Sequence, residues 1–239
     1  CYLRRRRYPD CETVCVKFRF QMVYIAELMQ KAVPDAKSIF LYRNALDVID
    51  SMCAAFISSG VYLAVRKLAM DVFYVFYVST LPQNLPKLMP LMNDTERFPQ
   101  ACYRRLGAVC PFVLSWVSVM HYGLSGYRNG SIHACIRYED MIIGKTALVS
   151  KMLSAVGLLP NENPEKVRPY SDDVFKRDAH SGNHVTQSKR TVFNEDTGLV
   201  EVRSFAYLRG DDPEMIRDVL VRHEEIEHSD YVIPGTITL

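Results

Sequence analysis

The chain has 239 residues, nearly half of them apolar, and its 29 basic and 27 acidic side chains leave a formal net charge of +2. A chain of that size and composition suits one folded domain over 1–239 with a substantial core and excludes extended disorder. So small a charge excludes any global electrostatic pull toward nucleic acid or a membrane surface. Four arginines at 4–7 read as a solvated basic patch, and no signal-peptide pattern opens the chain. Because residue 1 is Cys and not Met, the chain is expected to be a piece of a longer protein. The run Thr13 to Phe20 predicts a strand whose C-terminal end carries Lys17 and Arg19. A helix over Gln21 to Val33 follows, with Met22, Ile25, Ala26, Met29 and Val33 on one apolar face.

Lys37 to Met52 is the most informative stretch. Ile39, Phe40, Leu41 and Tyr42 are continuously apolar, which predicts a buried parallel strand ending on Arg43. Asn44 is placed to cap the next helix, with Asp47 in its first turn, and Leu46, Val48, Ile49, Met52 and Phe56 give that helix a broad apolar stripe. A cation at a strand's C-terminal end, facing a helix N-terminus, is a natural seat for a phosphate. Ser51 lies two turns beyond Asn44 on the same face.

Further on, an apolar and aromatic helical stretch is expected over Val61 to Ser79, then a connector with Pro82, Pro86, Pro90 and Pro99. Leu106 to Tyr127 is uncharged, but Pro111, the serines, His121 and two glycines make it a poor membrane span. It reads as a buried core helix carrying Trp116, with His121 a satisfied core histidine. Ser131 to Met141 predicts a short strand running into an Arg-Tyr-Glu-Asp turn, and a helix from Lys145 to Val156 ends at Gly157. Gly144-Lys145-Thr146 is no phosphate loop, since the Gly that a Walker motif needs is replaced by Glu139, with Asp140 beside it. The basic, Ser/Thr-rich segment Phe175 to Arg190 predicts a loop, Asp212 to His228 a charged helix, and the last nine residues an extended tail. Seven cysteines without a Cys-x-x-Cys pair or a Cys/His ligand spacing predict buried apolar residues, with no disulfide framework and no metal.

Three of these blocks, in this order, resemble the core of sulfotransferases that use 3′-phosphoadenosine 5′-phosphosulfate (PAPS). The first is a strand ending in Lys17, a helix and Pro34-Asp35-Ala36-Lys37; the second is the strand ending in Arg43-Asn44; the third is Arg137-Tyr138-Glu139-Asp140. The likeness spans roughly residues 12–180. It implies a three-layer α/β domain of the P-loop nucleoside triphosphate hydrolase type, with a parallel central sheet flanked by helices, lacking the N-terminal phosphate loop. It further implies that Arg43 and Ser51 hold the 3′-phosphate and that Tyr138 lies beside the adenine. Ser181 and Gly182 would belong to a second phosphate-binding loop, and Lys17 would serve the transferring end.

The implied reaction moves a sulfuryl group from PAPS to a hydroxyl or amine of a carbohydrate or small-molecule acceptor, without a metal, and leaves adenosine 3′,5′-bisphosphate. The family's cytosolic members place a His base two residues after the Lys, where this chain has Arg19, which cannot abstract a proton. The alternative is therefore a non-catalytic binding or interaction protein, or an inactive fragment; a nucleotide kinase is disfavoured by Glu139. Either the cytoplasm or the Golgi lumen suits the family, according to what precedes residue 1, and oligomeric state stays open.

Overall fold

The computed structural model describes residues 15–18, 20–57, 106, 109–158, 191–194, 199–202, 205, 207, 208, 210–223 and 225–238. The expected stretch 61–79, the proline connector, Arg19 and the loop 175–190 with Ser181 and Gly182 lie outside these residues. A 3₁₀ helix (Phe20–Ile25) runs into α1 (Ala26–Ala32), and β1 (Ile39–Tyr42) leads through Arg43 and Asn44 into α2 (Ala45–Ile57). Then come α3 (Cys110–Arg128), β2 (Ala134–Arg137), α4 (Tyr138–Ala155), β3 (Thr191–Asn194), β4 (Leu199–Val202) and α5 (Asp212–Leu220). The architecture is mixed α and β around a small parallel sheet. β1 and β2 pair in parallel, with Tyr42 opposite Arg137, whereas β3 and β4 form an antiparallel ladder.

The core is built around α3. Val113, Leu114, Trp116, Val117, Met120 and Leu124 are all buried, as are Ser115 and Ser118 between them. From Phe112 to Met120 the helix is buried on every face, as befits the interior of a domain and as the uncharged run at Leu106–Tyr127 predicted, while Ser125 and Arg128 near its end are exposed. The helix α2 packs on it through Leu46, Ile49 and Cys53, with Val48 and Met52 partly buried at the rim. Among the described residues no helix is long and apolar enough to cross a membrane.

Four expectations are corrected. Residues 15–18 form no strand and are exposed, Val16 and Phe18 included, so Lys17 does not stand at a strand end. A continuous apolar run measures only potential burial, and β1 in fact alternates: Phe40 and Tyr42 point inward while Leu41 is 47% exposed. The Arg-Tyr-Glu-Asp segment is not a turn, because α4 begins at Tyr138 and two helical pieces meet at Lys145, whose φ of 41° and ψ of −126° break the regular geometry. The piece after Lys145 is the helix that Lys145–Val156 anticipated. The predicted C-terminal helix ends at Leu220, eight residues before His228, and an irregular segment follows.

Helix α4 closes as its sequence asks. Gly157 adopts a φ of 73°, its N–H donates to the Ser154 carbonyl at 2.9 Å, and the Leu158 N–H donates to that of Leu153 at 2.8 Å. This pair of bonds is a Schellman motif, and it satisfies carbonyls that the helix end would leave open. The tail reaches the sheet as well. The Ile237 N–H donates to the Cys135 carbonyl at 2.9 Å, and Thr236 bridges Cys135 in parallel, so the tail lies along β2. Burial pushes the Cys53 and Cys135 thiols up to about 12, which makes both inert core groups.

Candidate functional site

Both parallel strands end at one edge of the sheet, and each hands its chain to a helix N-terminus there. Since Tyr42 pairs with Arg137, the residues just past them, Arg43 and Tyr138, come side by side. The Arg43 guanidinium lies over the Tyr138 ring, 4.9 Å from its centroid. In an α/β sheet this carboxyl edge is where ligands bind.

Asn44 starts α2 in the predicted way: its Oδ1 accepts from the Asp47 N–H at 3.0 Å. Its Nδ2 donates to Asp230 at 2.7 Å, and the Ala45 N–H donates to the Ser229 carbonyl at 2.8 Å, so the C-terminal segment braces the same helix start. From within the core, Trp116 Nε1 donates to the Arg43 carbonyl at 2.9 Å and fixes the turn after β1.

Around these anchors sits a network of charge. Arg43 Nη2 donates to Asp47 in the first turn of α2 at 3.1 Å, and Arg137 Nη2 donates to Asp140 at 3.3 Å. Glu139 lies between the two guanidiniums, with Oε1 3.7 Å from Arg43 Nε and Oε2 3.8 Å from Arg137 Nε. Its Oε1 also accepts from the Asn44 backbone N–H at 3.1 Å. Arg43 Nε, Arg137 Nε and Glu139 Oε2 are all buried and form no hydrogen bond. Two guanidinium N–H groups buried without an acceptor, at a pair of helix starts, suit an anion that offers more oxygens than one carboxylate does.

Burial raises the Glu139 carboxyl above its ordinary range, against the backbone N–H groups of Glu139 and Asn44 and the two arginines, which pull it down. The folded chain therefore holds this proton more tightly than the unfolded chain. In the window above the ordinary value of 4.5, stability falls as pH rises. Glu139→Gln removes that titration while keeping the Oε1 acceptor. Urea midpoints measured from about pH 4 to 7 should shift in favour of the variant as pH rises, and a pH-independent difference would sink this account of the carboxyl.

Of the predicted site residues, Arg43 and Tyr138 are in contact, Ser51 is exposed on α2, and Lys17 is exposed on an irregular segment. Sequence reasoning missed Glu139 as a partner of Arg43, and Arg137 as the second cation that faces Glu139. The signal was the apolar run before Arg137, matching the one before Arg43, but only the strand register shows that the two ends are adjacent. His121 meets the expectation at one nitrogen: its Nδ1 lies 3.1 Å from Glu225, which also pairs with Arg128 at 3.0 Å, while its buried Nε2 makes no hydrogen bond. Among the described residues no group of three or more His, Cys, Asp or Glu side chains is arranged to hold a metal. Compared with family models, curated proteins and solved structures, the chain matches none.

Proposed function

We propose that this chain belongs to a PAPS-dependent sulfotransferase of the P-loop-containing, three-layer type, with its nucleotide at the carboxyl edge of β1 and β2. The stacking of Arg43 on Tyr138, 4.9 Å apart at neighbouring strand ends, carries the reading. It joins the second and third blocks of the resemblance, in the part of an α/β sheet where nucleotides lie. Arg43 and Ser51 take the 3′-phosphate, Tyr138 offers a flat face to the adenine, and Arg137 adds a second cation. Bound PAPS supplies the sulfuryl group, and its acceptor is a hydroxyl or amine on a carbohydrate or small molecule. The acceptor's base is not assigned among the described residues, and Ser181 and Gly182 remain candidates for the second phosphate loop.

A second reading, a non-catalytic sulfotransferase-like binding protein, is favoured by one observation: Arg19, which cannot abstract a proton, stands where the cytosolic members place their base. Calorimetric titration with adenosine 3′,5′-bisphosphate tests the nucleotide site that both readings share. Arg43→Ala is expected to weaken binding by about 2–4 kcal/mol, and Ser51→Ala by about 1 kcal/mol. Failure of the folded chain to bind, or affinities untouched by both substitutions, would remove the nucleotide reading. Sulfuryl transfer from PAPS by a chain that includes a phosphate loop would then separate enzyme from binding protein.

A further inference from the structure

Glu139 stands where a bound anion would stand. The Asn44 backbone N–H at the start of α2 and the guanidiniums of Arg43 and Arg137 on neighbouring strand ends make a three-sided seat, and the Glu139 carboxylate fills it from the first turn of α4. It fills the seat poorly. Separations of 3.7 and 3.8 Å are ion-pair distances beyond hydrogen-bond reach, so both Nε donors and Glu139 Oε2 stay buried without partners. A tetrahedral dianion offers more oxygens than a carboxylate and is better able to engage the backbone donor and both arginines together.

The surrounding charges forbid both anions at once. Asp47 already sits on Arg43 at 3.1 Å and Asp140 on Arg137 at 3.3 Å, the Tyr138 ring covers the Arg43 face, and Asp230 reaches the seat through Asn44. Asp47 and Asp140 alone balance the two guanidiniums, so an ionised Glu139 between them leaves an excess of negative charge and an incoming dianion meets net repulsion at short range.

We propose that Glu139 is an internal stand-in for the ligand's phosphate, which must take up a proton or swing away before an anion enters between Arg43 and Arg137. The chain thus carries its own competitor, and affinity for the anion rises as pH falls. The inference rests on the PAPS reading only for the identity of the ligand. A simple capping role for Glu139 on α2 makes the opposite forecast, because Glu139→Gln preserves the Oε1 acceptor and would leave anion binding unchanged.

Calorimetry on the full chain with sulfate, which stays dianionic across the range, and separately with adenosine 3′,5′-bisphosphate decides between them. At about pH 7.5, Glu139→Gln is expected to bind sulfate about ten-fold tighter or more, and the gain should vanish in Glu139→Gln/Arg137→Ala. The unaltered chain should bind sulfate more tightly at about pH 5.5 than at about pH 7.5, while Glu139→Gln shows a flatter profile. Tightened sulfate binding without any binding of the bisphosphate upholds the Glu139 proposal and removes the PAPS reading. Bisphosphate binding that depends on Arg43 but is no tighter in Glu139→Gln removes the proposal and keeps that reading. Sulfate binding by neither folded protein overturns the proposal. If Glu139→Gln does not fold, pH-independent sulfate binding by the unaltered chain overturns it alone.

Discussion

Asp50→Ala is expected to destabilise the chain by about 3–5 kcal/mol, because one carboxylate oxygen holds two backbone N–H groups. Asp50 is buried on α2, and its Oδ1 accepts from the Tyr207 N–H at 2.7 Å and the Leu208 N–H at 2.9 Å. Truncation leaves both donors without that acceptor, and Leu208 is itself buried, so little water can replace it. Each hydrogen bond to a charged acceptor contributes about 1.5–3 kcal/mol. Asp50→Asn keeps an oxygen at the same place and should cost clearly less. Urea unfolding reads the difference directly, and an Asp50→Ala midpoint within error of the unaltered chain would show that the segment at 207–208 finds other partners. The same substitution should loosen the seat of Arg43, since α2 carries Asp47 and Ser51 and packs on the core through the turns around Asp50.

How far such a site can be read from sequence depends on the range of the interaction. The Asn44 cap, the burial of Leu46 and Ile49, the core helix with Trp116 and the Gly157 stop were legible because each is decided within a turn or two of helix. The strand expected before Lys17 failed for the opposite reason. A strand exists only by pairing, and β-prone residues at 15–18 have no ladder among the described residues. In sequence Glu139 is a carboxylate that spoils a phosphate loop, whereas the strand register places it across two arginines. Asp50 gave no signal at all, because its partners lie 157 and 158 residues away. The resemblance to sulfotransferases supplied the order of the blocks; the contact between Arg43 and Tyr138 depends on the pairing of Tyr42 with Arg137.

Gly235→Ala should also cost about 2–5 kcal/mol, and its effect should travel to the candidate site. Ile233 to Thr236 form a turn closed by the Thr236 N–H on the Ile233 carbonyl at 3.0 Å, with Pro234 and Gly235 at its centre. Gly235 has a φ of 82°, the left-handed backbone that a type II turn demands at this position. A methyl group there would meet the ring and hydroxyl of Tyr127, so strain of about 1–2 kcal/mol adds to overpacking of about 1–3 kcal/mol. The turn fastens the tail beneath the site: Tyr42 Oη lies 2.6 Å from Thr236 Oγ1 and accepts from the Ile233 N–H at 3.1 Å. Upstream, Ser229 and Asp230 hold the start of α2. Displacing the turn should therefore lower the thermal midpoint and weaken adenosine 3′,5′-bisphosphate binding together. Tyr127→Leu in the Gly235→Ala background should return the overpacking part and leave the backbone part, because only the side-chain overlap depends on Tyr127. Full recovery in that double variant would mean that the positive φ costs nothing. No recovery would mean that Tyr127 yields without resistance, and that the tail is held by its hydrogen bonds to Tyr42 and Cys135.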